Sequence, residues 1–124
     1  MSDLVRVAVD AMGGDYAPVE PVKGAVEAVN ADERIKVQLV GQVDVIEKEL
    51  QKYTYPKERV EIVPATEIIE TGEPPVNAIR HKKDSSIVVG MKKVRYGEAD
   101  AFVSSGSTGA VLVGGQTIVG RIKA

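Results

Sequence analysis

The chain has 124 residues, 44% of them hydrophobic and 27% charged, with a formal net charge of −2 and no cysteine. One domain with a real core fits that length. The slight negative balance argues against a nucleic-acid partner held by bulk positive field. Zero cysteines exclude disulfides, thiolate metal sites and a cysteine nucleophile. The opening Met1-Ser2-Asp3-Leu4-Val5-Arg6 has no cationic stretch followed by a long apolar one, and no apolar run reaches a membrane span, so a cytoplasmic protein is expected.

Leu4 to Asp10 is β-branched and mostly apolar, which predicts a strand buried on both faces, as in a parallel sheet. Ala11-Met12-Gly13-Gly14-Asp15-Tyr16-Ala17-Pro18 then makes a loop at the carboxyl end of that strand, the edge where open α/β sheets bind ligands. Asp10 and Asp15 flank two glycines there. They suit either polar substrate or metal contact, or a turn closed by Asx-type hydrogen bonds.

Val22, Ala25, Val26 and Val29 recur at i, i+3, i+4 and i+7, predicting an amphipathic helix from about Pro18 to Asn30. Ile35 to Gly41 reads as a second strand with a glycine stop. Asp44 is the expected cap of the next helix, with Ile46, Leu50 and Tyr53 on one face and Pro56 as its end. Val60 to Val63 is a third short strand limited by Pro64. Strand, helix, strand, helix, strand is the pattern of a doubly wound sheet.

Glu67, Glu70 and Glu73 read as a solvated face, and Thr71-Gly72-Glu73-Pro74-Pro75 as a loop before a helix beginning near Pro75 or Val76. Arg80-His81-Lys82-Lys83-Asp84 is the densest charge cluster in the chain. It is expected ahead of a helix N-terminus, where the dipole offers cations nothing, so an external anion is a reasonable partner. Ser85 can cap that helix, which carries Ile87, Val88, Met91 and Val94 inward and stops at Gly97. Lys92, Lys93 and Arg95 fall in its last turn, where cations complement the dipole. His81 is the sole histidine, which makes neither a metal site nor a Ser-His-Asp triad, and it reads as a surface residue.

Ala101-Phe102-Val103 is a short apolar run that breaks into Ser104-Ser105-Gly106-Ser107-Thr108-Gly109 before helical spacing resumes at Ala110 and continues through Arg121. Such a strand-to-helix turn points unpartnered helix amides at the loop, and the dipole favours an anion there. Gly106 and Gly109 allow close backbone approach, while Ser104, Ser105, Ser107 and Thr108 offer hydroxyls, so a phosphate fits. The same residues equally serve as an ordinary N-cap and a turn. The stretch is neither a Walker A loop, which needs Gly-Lys-Ser/Thr, nor the Gly-x-Gly-x-x-Gly dinucleotide fingerprint.

Taken together, Asp10-Ala11-Met12-Gly13-Gly14-Asp15 after a strand, Arg80 to Ser86 before a helix, Ser104 to Gly109 opening a helix, and the tail Val119-Gly120-Arg121-Ile122-Lys123 resemble the PlsX family of phosphate acyltransferases. That resemblance implies an α/β/α three-layer sandwich with a mainly parallel sheet, akin to the isocitrate and isopropylmalate dehydrogenases. It also implies transfer of a fatty acyl group from acyl carrier protein to inorganic phosphate for phospholipid synthesis, in a homodimer that associates peripherally with membrane through regions beyond this stretch. Residues 1–124 are then expected to be a single α/β domain, the N-terminal portion of a longer enzyme, and need not be active alone.

Asp10, Gly13, Gly14 and Asp15 match the family's first loop, Arg80, Lys83 and Ser86 its basic motif, and Ser104, Gly106, Thr108 and Gly109 its last. Ser105 and Ser107 depart from the Ala and Asn of many members, Ser107 keeping a donor and an acceptor on a shorter arm. Arg80 and Lys83 are the expected catalytic cations, the other named residues the substrate contacts. No cofactor is expected, because phosphate itself attacks the thioester. Acidic acyl carrier protein could dock on a basic face including Lys82, Lys92, Lys93 and Arg95. The alternatives are a phosphate acetyltransferase-like enzyme and a non-catalytic phosphate-binding module.

Overall fold

A computed structural model describes residues 4–70 and 72–120. Thr71 and the Arg121-Ile122-Lys123 tail lie outside the described residues. Four strands, β1 (Val5–Asp10), β2 (Ile35–Gly41), β3 (Val60–Pro64) and β4 (Ala101–Val103), form one sheet in the order β3-β2-β1-β4, every neighbouring pair parallel. The helices are α1 (Val19–Ala31), α2 (Val43–Leu50), α3 (Pro75–His81), α4 (Ser86–Arg95) and α5 (Thr108–Gly114).

Alternation along the strands decides which helix covers which face. Val37 and Leu39 point to the side where Val22, Ala25, Val26 and Val29 of α1 and Ile46 and Leu50 of α2 close a core, with Val9 packed against it. Ala8 and Val40 point the other way, into a cluster with Val63, Ala65 and Ala99 that Val89 and Val94 of α4 adjoin. A further cluster joins Ala78 and Ile79 of α3, Ile87, Val88 and Met91 of α4, and Ala110 of α5. The result is the expected α/β/α three-layer sandwich.

Three boundaries differ from the expectation. Gln42, not Asp44, precedes α2, and Asp44 lies in its first turn, where its charge still suits the dipole. That helix ends at Leu50, well before Pro56, because the amides of Lys52 and Tyr53 bond the carbonyls three residues back, Glu49 and Leu50, and tighten the turn. After α5 the chain widens into a five-residue π turn, Gly115–Val119, and leaves helix at Gly120, whose φ of 93° places it in the left-handed region. The last helix therefore does not run through Gly120.

Arg59 fastens the start of β3 to α1 and β2. Its guanidinium donates to the carbonyls of Val29 (2.9 Å), which the end of α1 leaves open, of Asp32 (3.0 Å) and of Ile35 (2.9 Å) at the start of β2. Hydrogen bonds to a charged donor contribute about 1.5–3 kcal/mol. Arg59→Met is expected to lower unfolding free energy by about 2 kcal/mol in a denaturant titration, with Arg59→Lys recovering only part of it because an ammonium cannot reproduce the planar fork.

Candidate functional site

The sheet register builds the site. Val9 of β1 stands opposite Val103 of β4, so one step further along both strands brings Asp10 beside Ser104. Asp10 shares the face of Ala8, toward α4, and is 1% exposed. Its carboxylate meets three donors: the Ser86 hydroxyl at 2.5 Å, the Ser104 hydroxyl at 2.8 Å and the Met12 amide at 3.0 Å. The last bond closes an Asx turn, which starts the Ala11–Asp15 loop. One side chain thus ties together the three segments named in the sequence, since Ser86 opens α4 and Ser104 follows β4.

Glycine is required where those segments meet. A Cβ on Gly13 would fall on the Asp10 carboxylate and 2.9 Å from the Gly106 amide nitrogen. Gly14 adopts φ 94° against Ser105, a conformation that L side chains rarely take. The Gly106 amide donates to the Ser104 hydroxyl oxygen at 3.0 Å, so Ser104 relays order from Asp10 into the turn. Ser107 is buried and caps α5, its hydroxyl accepting from the Ala110 amide at 3.2 Å. Gly109 lies against Pro75, which a side chain there would strike. Among the described residues, the amides of Ser105, Ser107, Thr108 and Gly109 have no hydrogen-bond acceptor.

A cavity of about 320 Å³ opens beside this turn, lined by Gly13, Gly14, Asp15, Tyr16 and Ser105 among others. Asp15 and Ser105 are exposed in it, and Thr108 is exposed at the start of α5. The structure thus brings together Asp10, Gly13, Gly14, Asp15, Ser86, Ser104, Ser105 and Gly106. Ser86 and Ser104 are donors to Asp10, so those hydroxyl protons are committed inside the protein.

The basic cluster divides differently from its expectation. Arg80 and His81 occupy the last turn of α3 instead of preceding a helix, so the α3 dipole supports their charge. Lys82 donates to the Ile68 carbonyl (2.7 Å) and pairs with Glu73, which leaves it unavailable as a free docking cation. Lys93 likewise faces Glu98 (3.6 Å), and Arg95 donates to the Ile118 carbonyl (2.6 Å). Arg80 and Lys83 are exposed, and their side chains make no hydrogen bond or ion pair among the described residues. Lys83 stands three residues before Ser86, a stretch that spans at most about 11 Å.

Sequence reasoning overlooked how the α3–α4 turn is held. The Thr66 hydroxyl (2.6 Å) and amide (3.0 Å) donate to the Asp84 carboxylate, and the Glu67 carboxylate accepts from the Asp84 amide at 3.2 Å. Glu67 pairs with Ser85 in a parallel bridge. The three glutamates are therefore not one solvated face: Glu73 also accepts from the Glu70 amide at 2.9 Å. The Thr66 hydrogen bonds hold the Asp84 carboxyl below its ordinary value, and the Lys82 ammonium does the same for Glu73. The only sequence cue was the adjacency of Asp84 to a capping Ser85.

The family model for fatty acid synthesis protein matches residues 5–124. Over 120 residues the chain is 52% identical to a phosphate acyltransferase of Alkaliphilus oremlandii, covering 96% of this chain and 35% of that protein. Similar matches are to phosphate acyltransferases of Halothermothrix orenii, 48% identical over 95% of this chain and 35% of that one, and Clostridium beijerinckii, 50% identical over 96% and 36%. The chain spans about a third of the length of these relatives.

A buried donor stripped of its acceptor costs about 1–3 kcal/mol, so Asp10→Ala, which strands the buried Ser86 hydroxyl and the half-buried Met12 and Ser104 donors, should lower unfolding free energy by about 3 kcal/mol. Ser86→Ala should cost a third to a half of that, both read by chemical denaturation. Acid stability follows from Asp84 and Glu73. Carboxyls depressed in the folded state stabilise it fully above their unfolded values, and that contribution disappears as pH falls through the folded ones. Thermal midpoints should hold from pH 7 to about 5 and fall below about 4, and Asp84→Asn should flatten that fall while starting from a lower midpoint.

Proposed function

The chain belongs to the fatty acid synthesis protein family, and on that premise we propose that it forms the phosphate-binding part of an acyltransferase that moves a fatty acyl group from acyl carrier protein to inorganic phosphate. The observation that carries this reading is the turn Ser104–Gly109: its amides at Ser105, Ser107, Thr108 and Gly109 lack acceptors among the described residues, while Asp10 and Ser104 hold its backbone rigid beside an open cavity.

Fixed amides with no partner are what a dianion requires, and a rigid cradle avoids reorganisation when charge develops. In the proposed step a phosphate oxygen attacks the thioester carbonyl carbon. A tetrahedral oxyanion forms, the carbon–sulfur bond breaks, and the carrier's thiolate leaves with the proton that the attacking hydrogen phosphate gives up. The products are acyl phosphate and free carrier. Arg80, supported at the end of α3, and Lys83, in the turn leading to Ser86, supply positive charge for the phosphate or the oxyanion. Asp15 and Ser105 line the entrance from the first loop and the turn.

Acyl carrier protein, being acidic, would use the exposed end of α4, where Lys92 and Arg95 stand, with Lys93 exchanging its Glu98 partner, since exposed ion pairs are weak. Homodimer formation and peripheral membrane association complete the reading as a cytoplasmic enzyme acting at the membrane face. No described helix is long and apolar enough to cross a membrane.

The test is acyl-phosphate formation from acyl carrier thioester and inorganic phosphate, trapped as the hydroxamate, in a chain of the relatives' length carrying these residues. Lys83→Ala should lower turnover about 10²–10³-fold with an unchanged thermal midpoint, as loss of one transition-state donor does. Unchanged turnover would remove Lys83 from the reaction, and no acyl phosphate from the parent protein would end the reading.

A further inference from the structure

The Lys83 side chain is exposed and has no partner among the described residues, yet both residues beside it are held. On one side the Lys82 ammonium donates to the Ile68 carbonyl (2.7 Å) and pairs with Glu73. On the other, the Asp84 carboxylate accepts from the Thr66 hydroxyl (2.6 Å) and amide (3.0 Å). Backbone bonds tighten the same grip, from the Glu67 amide to the Asp84 carbonyl (3.0 Å) and from the Ser86 amide to the Glu67 carbonyl (3.3 Å). Segment 66–68 is itself tied to the end of β2: the Ala65 amide donates to the Gly41 carbonyl (2.9 Å), and the Gln42 side-chain amide to the Thr66 carbonyl (3.2 Å). The Asp84 bonds lie at the surface, where water competes and an intramolecular hydrogen bond contributes little to stability. What they fix is direction. They set the backbone from which an unpaired cation extends, three residues before Ser86 meets Asp10. They also anchor the carboxylate next to Lys83 in sequence, which on a loose turn would swing toward that ammonium and neutralise it.

We propose that Asp84 and Thr66 are positioning residues: the Asp84 carboxylate, clamped by the Thr66 hydroxyl and amide, fixes the backbone that aims the Lys83 ammonium at an anion held by the 104–109 turn. The assignment rests on the acyl-transfer reading, through the role given there to Lys83. Loosening the clamp leaves Lys83 charged but mobile, and a displacement of about 1 Å at a group that acts on the transition state can cost about 10²-fold in rate. Docking of acyl carrier protein is a separate matter, because Lys92 and Arg95 stand at the far end of α4 from this turn. The clamp therefore affects turnover and not the KM for the carrier thioester.

Thr66→Val removes the hydroxyl from an exposed position at nearly constant volume, and Thr66→Ser keeps it. In the chain of the relatives' length, Thr66→Val should lower kcat for acyl-phosphate formation about 10-fold and Asp84→Ala about 10²-fold, with KM for the carrier thioester unchanged, while Thr66→Ser stays within about twofold of the parent. The deciding measurement is a double-mutant cycle with Lys83→Ala. A clamp that acts through Lys83 has nothing left to position once the ammonium is gone, so adding Thr66→Val to Lys83→Ala should cost no further turnover. Losses that multiply would make the clamp a purely structural feature and overturn the assignment. Should Thr66→Val fail to fold, Asp84→Ala carries the same cycle. An active parent matched in turnover by Thr66→Val ends this assignment alone, whereas a parent that forms no acyl phosphate ends the acyl-transfer reading and the assignment with it.

Discussion

A buried carboxylate is expensive unless its oxygens are filled, and in this fold the Asp10 oxygens are filled by one donor from each of three separate segments. That constraint fixes the relative positions of the first loop, the start of α4 and the end of β4. The parallel register puts Ser104 within reach, and the α4 cap puts Ser86 there. Apolar side chains of similar size would pack but would not select one arrangement of the loops, whereas a carboxylate with directional partners does. Gly13 and Gly106 follow from it, since both stand where a side chain would displace the carboxylate or the backbone beside it.

Most of the fold was legible because its signals are strong and local. β2 and the inward face of α1 follow from hydrophobic period, and Ser85 follows from capping chemistry, whereas Ser107, expected to contact substrate, caps α5. What was illegible depends on tertiary partners. Nothing in Asp10-Ala11-Met12 distinguishes a carboxylate aimed at substrate from one aimed at Ser86, 76 residues away. The basic cluster misled for a related reason: α3 is seven residues long and proline-started, so its last turn absorbs Arg80 and His81 before the next cap. A helix that short has little periodicity to read.

The same economy separates positioning from contact in the candidate site. Of the hydroxyls that the sequence alone would offer to phosphate, Ser86 and Ser104 donate inward and Ser107 accepts at the α5 cap. Backbone amides without an acceptor among the described residues are what remains, together with the exposed Ser105 and Thr108 side chains. The proposed anion site therefore depends on backbone amides more than on hydroxyls. A site built on backbone amides has few rotors to freeze, so it would lose less entropy on binding.

Charge placement then decides which cation can matter. Lys82 is neutralised by Glu73, and its ammonium holds the Ile68 carbonyl, so its field at any distance is largely that of a dipole. Lys83 is one residue further on and lacks such a partner among the described residues, yet the chain that follows it is fastened twice, by Asp84 to Thr66 and by Ser86 to Asp10. A free charge on a fixed backbone is the combination that electrostatic stabilisation needs, because a mobile cation would be solvated away from the developing charge and a paired one would already be spent. Arg80 has charge and dipole support but hangs from the end of a short helix. Under the proposed acyl transfer, Lys83 would then be the cation for the developing charge and Arg80 the one that draws the anion in.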